Sequence, residues 1–288
     1  MRGLFSAALL AVAWAGEVQA QPAEITPALF VVRDADSTLY LYGTVHALPH
    51  NAPWANAAVR SALSESDEVW TESNMSEDSS RQFAEDLISS MATPAETPLS
   101  NRLPAAQRTT LRYASKALDI DLNRLAPWQA ALLLMSWGGE HGGRAIGAGV
   151  DVQVAAAARE EGKPLRWLEE LDVADFAALP DDTQLQFLMF VLDGMRDRQS
   201  LSLEELWARG DLAAMEETQL ARMAAAYPAF YQWIAVARNN AWMDVLLREL
   251  EGAGVDFVAV GAGHLLGADS LVEQMRARGY AVERIGGS

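Results

Sequence analysis

The feature that most constrains the fold of this chain is a run of β-forming residues followed by a glycine and, three residues after it, a histidine. The pattern occurs as LYLYGTVH, with a predicted strand at 39–42 before His46, and again as FVAVGAGH, with a predicted strand at 257–260 before His264. In α/β folds, functional groups gather at the carboxyl ends of strands. We therefore expect the two strand ends to lie side by side and the two histidines to converge on one site.

The chemistry of glycine and histidine suits such a site. Glycine lets the backbone turn sharply, so that a following side chain can point back over the edge of a sheet. Imidazole is the commonest metal ligand and a good base near neutral pH. One motif of this kind would be a weak signal, but two of them in a chain with four histidines indicate a shared site.

The other two histidines carry weaker signals. His46 and His50 have the four-residue spacing of a helical metal-binding pair, but Pro49 lies between them and would interrupt a helix. The segment after the first strand is therefore expected to be a loop. His141 lies in the glycine-rich segment 138–149, which we interpret as a flexible connection, with a surface role for this histidine favoured over metal ligation.

Three acidic residues also fall at positions where chemistry could occur. A third predicted strand ends on Glu72, and a short strand at 164–168 precedes Glu169. A carboxylate at a strand end can bind a metal or act as a base, although most isolated acids are simply solvated. Asp151 lies near the start of a predicted helix, where attraction to the helix dipole is a sufficient explanation.

The order of predicted elements indicates an α/β fold. Strands at 28–32 and 38–42 are separated by a polar turn and are expected to form a hairpin. Later, a helix at 150–160 ends near Gly162 and leads into the strand at 164–168, which is the returning half of an α/β unit. Most of the remaining chain has helical periodicity.

Composition excludes several classes of protein. The chain has 39 acidic and 22 basic residues, a net charge of −17 and no basic cluster, so binding to nucleic acid is not expected. It has no cysteine, which excludes disulfides and thiolate metal sites.

The amino-terminal residues have the layout of a secretory signal peptide. Arg2 precedes an apolar run at 4–15, and Val18 and Ala20 form a small-x-small cleavage site. We expect cleavage after Ala20 and a periplasmic or secreted protein. No later stretch offers about 20 uncharged apolar residues, so no transmembrane segment is expected in the mature chain.

A dinucleotide-binding motif is the competing interpretation of the second glycine cluster. Gly261, Gly263 and Gly267 follow a strand, and Glu283 stands about where an acid could bind a ribose. The third glycine is one residue late, however, and too few residues follow Glu283 for the rest of such a domain. We therefore disfavour this interpretation.

Several motifs, in one order, resemble the TraB/PrgY/GumN family, which is related to the Tiki metalloproteases. They are TLYLYGTVH, VWTES, GVD, GKPLRWLEE, RNNAW and FVAVGAGHLLG with a closing RGYAVERI. The resemblance implies an α/β fold with a central mixed β-sheet and a large helical insertion at about 76–250. Residues 21–288 would form a single domain, after a signal peptide at 1–20.

The resemblance also implies an active site made of His46, His264, Glu72 and Arg238. The expected function is a metal-dependent hydrolase that acts on peptides or on related small amides or esters. His46, Glu72 and His264 would ligate one divalent ion and leave a position for water. Three nitrogen and oxygen ligands do not select the metal, so zinc, manganese and cobalt are all compatible.

The remaining candidates have supporting roles, and two other functions stay open. Glu169 or Asp151 would act as general base, and Arg238 would neutralise an oxyanion or bind a substrate carboxylate. The first alternative is an esterase-type hydrolase without metal, in which His46 or His264 is the base. The second is a non-catalytic envelope protein that binds peptides or polysaccharides.

Overall fold

A computed structural model describes residues 25–49, 51–74, 76–141, 144–145, 149–196 and 203–286. Within these ranges the side chains of residues 138–141 and 144–145 are not described. The expected signal peptide at 1–20, His50 and the side chain of His141 lie outside these described parts.

The centre of the molecule is a mixed β-sheet. Its strands are β1 (Leu29–Arg33), β2 (Ser37–Thr44), β4 (Glu68–Thr71), β6 (Leu165–Trp167), β7 (Gly254–Gly261) and β8 (Ala281–Arg284), and β3 (Leu48–Pro49) pairs separately with β5 (Arg144–Ala145). The order across the main sheet is β6-β4-β7-β2-β1-β8. β6, β4, β7 and β2 run parallel, whereas β1 is antiparallel to both of its neighbours. The α/β fold and the hairpin of the first two strands are thus confirmed.

The helices surround this sheet. They are α1 (Ala57–Glu65), α2 (Glu77–Ser90), α3 (Ala105–Leu118), α4 (Pro127–His141), α5 (Val150–Glu160), α6 (Val173–Ala178), α7 (Asp181–Gly194), α8 (Leu203–Arg209), α9 (Leu212–Met215), α10 (Arg222–Ala226), α11 (Pro228–Tyr231), α12 (Arg238–Leu250) and α13 (Leu271–Ala277). Two π-helical segments, Glu216–Ala221 and Gln232–Ala237, precede α10 and α12, and a 3₁₀ turn at Ala262–Leu265 follows β7.

The central strand β7 is apolar on both sides because helices cover both faces of the sheet. Phe257 and Ala259 belong to the core shared with α1 and α5, whereas Val258 and Val260 belong to the core shared with α12 and α13. Parallel strands that are buried on both faces have this nearly continuous apolar sequence. The predicted end of α5 is also confirmed, since Gly162 has a φ of +68° just beyond the helix.

The large helical insertion is confirmed as part of the fold. Between β4 and β7, helices α2, α3, α4, α6, α7 and α11 pack around a second apolar core, which includes Leu111, Leu134, Phe187 and Phe230. The chain returns to the sheet within this span through α5 and β6. The assignment of 21–288 to one domain stays a prediction.

The loop predicted after β2 is partly wrong. Leu48 pairs with Ala145 and Pro49 with Arg144, so the segment after β2 and the glycine-rich segment form a short antiparallel pair. A two-residue pairing depends on where distant backbone lies, and local composition does not encode it.

None of the helices in the described part of the chain combines the length and the hydrophobicity that a membrane-spanning segment needs.

Candidate functional site

The predicted site residues converge because four parallel strands end at one edge of the sheet. Thr44 of β2 pairs with Gly261 of β7, and β4 pairs with both β7 and β6. The four residues that follow these strand ends, in the order of the sheet, are Glu169, Glu72, His264 and His46. The structure therefore brings the four side chains together at this edge.

His264 is a buried imidazole with a defined tautomer. Its Nδ1 lies 2.6 Å from Oδ1 of Asn239, whose amide nitrogen donates to the carbonyl of Asp269 at 2.8 Å. The amide oxygen can only accept, so Nδ1 of His264 carries the proton and the lone pair lies on Nε2, which faces Nη1 of Arg238. Burial lowers the pKa of His264 to about 4, helped by the positive charges of Arg238 and His46 and opposed by Glu72.

His46 is held by a carboxylate. Its Nδ1 lies 2.9 Å from Oδ2 of Asp151, at the first turn of α5. Desolvation lowers the pKa of His46, but the hydrogen bond and charge of Asp151, together with Glu72, outweigh it and raise the pKa above the usual range. Because 58% of the His46 side chain is exposed, solvent screens part of this effect. The second oxygen of Asp151, Oδ1, is buried and accepts no hydrogen bond from the described residues.

Gly149 makes the contact between His46 and α5 possible. The amide of Val150 donates to the carbonyl of Val45 at 2.8 Å, which holds the start of α5 against the end of β2. A Cβ at position 149 would lie 2.5 Å from the carbonyl oxygen of His46 and 2.8 Å from its carbonyl carbon. Only glycine fits this approach of two backbones.

Glu72 lies between the two histidines and an arginine. One carboxylate oxygen, Oε1, accepts from the amide of Gly261 at 2.5 Å and lies 3.7 Å from Nε2 of His264. The other, Oε2, accepts from Nη2 of Arg238 at 2.9 Å. Burial opposes the charged form of Glu72, but Arg238, His264 and His46 outweigh burial and hold its pKa well below the usual range.

Arg238 pairs with two partly buried acids. Besides Glu72, it binds Glu169, whose Oε1 accepts from Nε at 2.8 Å and from Nη2 at 2.5 Å. The guanidinium lies 4.6 Å from the ring centre of Trp242, and Trp242 donates to the other oxygen of Glu169 at 3.2 Å. Nη1 of Arg238 is also 3.4 Å from Nε2 of His264. In this arrangement Arg238 holds the two glutamates in place and offsets part of their negative charge.

Imidazole nitrogens and a carboxylate oxygen are atoms that commonly ligate a divalent cation. Nε2 of His46 and Oε1 of Glu72 lie 3.6 and 3.0 Å from the point where a Cβ on Gly261 would stand, so both face the same space. The Nδ1–H of each imidazole donates a hydrogen bond to an oxygen acceptor, Asp151 for His46 and Asn239 for His264. Metal-bound histidines usually have such a second hydrogen bond.

The candidate ligand atoms of His46, Glu72 and His264 lie farther apart than the ligands of one bound ion would. Two atoms that share a metal at about 2.1 Å can be at most about 4.2 Å apart. In the described chain, the set of three candidate ligand atoms within 4.8 Å of one another is Glu68, Glu249 and Asp256, which lies elsewhere. His46, Glu72 and His264 would therefore need to draw closer on binding.

Two residues that contact the site are absent from the sequence-based candidates. Asn239 sets the tautomer of His264, and Trp242 packs 4.5 Å from the His264 ring. The spacing of Arg238 and Trp242, four residues apart on α12, places both on one helix face and is a signal that could have identified Trp242.

Comparisons with known proteins were consistent with one family. The model of the TraB/PrgY/gumN family matches residues 28–284. The uncharacterised protein YbaP of Escherichia coli (strain K12) is 26% identical over 255 residues, covering 87% of this chain and 92% of YbaP, and YbaP of Shigella flexneri matches to the same extent. No solved structure matches the chain at a significant level.

Proposed function

Because the chain belongs to the TraB/PrgY/gumN family, we propose that it is a metal-dependent hydrolase of peptides or of related small amides and esters. The observation that supports this proposal is the meeting of two imidazoles and a carboxylate over the end of β7. Each imidazole comes from a different strand end, and each has its Nδ1 occupied by an acceptor.

The ligands of the ion would be His46 and His264, through Nε2, and one oxygen of Glu72. A bound divalent ion would lower the pKa of water toward neutrality and polarise the carbonyl of the substrate. Manganese, cobalt and zinc remain equally compatible with these ligands.

The residues around the three proposed ligands hold them in position, and one of them can accept a proton. Asp151 and Asn239 orient the two imidazoles, so that Nε2 of each faces the end of β7 where Glu72 lies. The free oxygen of Asp151 is buried beside His46 and can accept a proton or a hydrogen bond from an attacking water. Arg238, held by Glu169, keeps Glu72 ionised, and a carboxylate must be ionised to ligate a metal.

The test is to purify the protein without chelator, measure its metal content and assay a fluorogenic peptide mixture and p-nitrophenyl acetate. We expect activity to be lost in EDTA and restored by Mn²⁺, Co²⁺ or Zn²⁺. His46→Ala, His264→Ala and Glu72→Gln should each lower kcat/KM at least about 100-fold. Glu85→Gln, which changes an exposed acid on α2, is the matched control and should leave activity unchanged.

A hydrolase without metal is the second candidate, and the His46–Asp151 pair favours it. An imidazole held by a carboxylate is the usual arrangement of a general base. Full turnover by a metal-free preparation, lost in His46→Ala, would select this function. If no substrate is turned over and both histidine variants still bind peptide or polysaccharide, the protein is a binding protein instead.

We further propose that the protein is exported. The support is the three-part pattern of its first 20 residues. Amino-terminal sequencing of the protein from a periplasmic or extracellular fraction should begin at Gln21. An intact amino terminus in the cytoplasm would contradict export without affecting the proposed chemistry.

A further inference from the structure

The segment that carries His264 is fastened at its far end by a tyrosine. After the 3₁₀ turn at Ala262–Leu265 the chain continues to Asp269, just before α13, and we call residues 262–269 the His264 loop. The hydroxyl of Tyr231 donates to Oδ2 of Asp269 at 2.8 Å. Tyr231 is the last residue of α11 and is only 9% exposed, whereas Asp269 lies at the surface. The bond therefore anchors a surface loop to a buried side chain.

Further hydrogen bonds connect this anchor to the imidazole. The backbone carbonyl of Asp269 accepts from Nδ2 of Asn239 at 2.8 Å, and Oδ1 of Asn239 accepts from Nδ1 of His264 at 2.6 Å. Asn239 is 1% exposed and His264 is 8% exposed, so little water is available to replace a lost partner. A shift of Asp269 would therefore move the acceptor of the amide that sets the tautomer of His264.

A π-helical segment lies between the two residues that bind Asp269. It is Gln232–Ala237, which follows Tyr231 directly and ends at Arg238. A π turn bonds over one residue more than an α turn, so it changes which residues of the following helix face a given neighbour. Such segments are rare and occur frequently at functional sites. Here the helix beyond the segment, α12, supplies Arg238 and Asn239 to the candidate active site.

The other π-helical segment, Glu216–Ala221, holds the same loop through an apolar contact. A Cβ on Gly267 would lie 2.8 Å from Cδ2 of Leu220, and a Cβ on Gly263 would lie 3.9 Å from its Cδ1. Gly267 also has a φ of +77°, a conformation that favours glycine. Both π-helical segments thus help to hold the His264 loop, one through Leu220 and the other through the residue before it, Tyr231.

The hydroxyl of Tyr231 remains a hydrogen-bond donor at neutral pH. Burial, the hydrogen bond to Asp269 and the negative charges of Asp269 and Glu216 raise the pKa of Tyr231 to about 12. The phenol neither takes up nor releases a proton near neutrality. Its contribution is therefore to hold the loop, and not to transfer protons.

We propose that Tyr231 is a positioning residue of the candidate active site, which acts through Asp269 and Asn239 to keep Nε2 of His264 directed at the end of β7. The proposal rests on the proposed function, since the position of His264 affects a rate only if His264 takes part in the reaction. It extends the site from the strand ends and α12 to α11.

NMR of the metal-free protein tests this proposal without any substrate. Exchange of the Nδ1 proton of His264 with solvent measures how often its bond to Asn239 opens. In Tyr231→Phe, which removes only the hydroxyl, this exchange should become at least about fivefold faster. Asp269→Ala should have the same effect and, because Asp269 is exposed, should fold even if Tyr231→Phe does not. Asp269→Asn keeps an acceptor oxygen and should retain slow exchange.

Tyr227→Phe is the matched control. It removes a tyrosine–aspartate bond of the same kind, made to Asp193 of α7 instead of to the His264 loop, and should leave the exchange unchanged. The double variant Tyr231→Phe/Asp269→Ala should exchange no faster than either single variant, since each removes the same bond. Unchanged exchange in both single variants would overturn the proposal. Equal acceleration in Tyr227→Phe would also overturn it, because the cause would then be a general loosening of the helices.

Activity gives the second measurement. Tyr231→Phe should lower kcat about 5- to 20-fold and leave KM nearly unchanged, because Tyr231 acts through His264 and not on the substrate. An active wild-type protein with an unchanged kcat in Tyr231→Phe would overturn this proposal alone. A wild-type protein that turns over no substrate would contradict the proposed function instead. In that case accelerated exchange would still support the coupling of Tyr231 to His264, and unchanged exchange would overturn it.

Discussion

Nδ1 of His46 lies 2.9 Å from Oδ2 of Asp151, although 105 positions separate the two residues in the chain. The contact joins the end of β2 to the start of α5, where Val150 donates to the carbonyl of Val45. It fixes a proton on Nδ1, so that the neutral form of His46 has its lone pair on Nε2. The chemistry of the exposed histidine therefore depends on an acid from another part of the fold.

Asp151→Asn should lower kcat/KM about 10- to 100-fold, because an amide cannot supply the negative charge that orients and polarises His46. The pKa of His46, followed by NMR in the metal-free protein, should fall at the same time. Asp121→Asn changes an exposed aspartate and should have neither effect. An unchanged pKa of His46 in Asp151→Asn would contradict the role given to this pair.

Asn239→Ala should reduce activity more through kcat than through KM, since it removes the acceptor that sets the tautomer of His264. It leaves the Nδ1 proton of a buried imidazole without a partner, which should cost about 1–3 kcal/mol of unfolding free energy. Asn240→Ala alters the next residue, which is exposed, and serves as the control in both assays. Equal loss in both variants would mean that the helix as a whole, and not this hydrogen bond, is responsible.

Arg238→Ala should destabilise the protein by about 2–4 kcal/mol, because it leaves the partly buried Glu72 and Glu169 without their positive partner. Urea denaturation measures the change. Arg81→Ala removes an exposed arginine from its pair with Asp78 and should change stability by less than about 1 kcal/mol. A small effect of Arg238→Ala would show that solvent already screens the two glutamates.

Gly149→Ala should lower both activity and stability, the latter by at least about 2 kcal/mol. The added Cβ would overlap the backbone of His46 at 2.5 Å, and neither backbone segment can move without breaking the His46–Asp151 contact. Gly194→Ala is the control, since a Cβ there meets nothing within 4 Å. That variant should be neutral or slightly stabilising, because alanine favours the helix.

The stability of the metal-free protein should depend on Asp256 in a defined direction. Burial and neighbouring acids raise its pKa from 3.8 to about 7, so between these values the folded state holds more protons than the unfolded state. The contribution of Asp256 to stability is therefore lost as pH rises through this window. In EDTA, Asp256→Asn should be more stable than the wild type at pH 8, by roughly 1–3 kcal/mol, and should lose that advantage near pH 4. Parallel pH profiles of the two proteins would contradict this assignment.

The strands and the site edge could be predicted from the sequence because they depend on local patterns. Apolar runs that end in glycine marked β2 and β7, and the residues just beyond them, His46 and His264, had to lie at the carboxyl ends of their strands. That the two ends are neighbours depends on the parallel pairing of β2 with β7, which the repeated motif suggested and the structure displays.

Contacts set by tertiary packing could not be predicted in the same way. The structure pairs Arg238 with Glu72 and Glu169, a contact that the sequence did not predict, and its expected role toward an oxyanion or a substrate carboxylate stays a prediction. Which acid meets which base depends on how α12 packs across the strand ends, and spacing along the chain does not contain that information. The same holds for Asn239, whose partner is 25 positions away.

The position of β7 between β2 and β4 has a consequence for the making of the protein. This strand is synthesised after β2, β4 and β6, yet it lies between β2 and β4 in the sheet. A chain that has emerged only as far as α12 holds β2 and β4 without the strand that joins them, and it lacks one of the two imidazoles. The candidate site therefore cannot assemble on the ribosome before β7 and the turn that carries His264 have been synthesised.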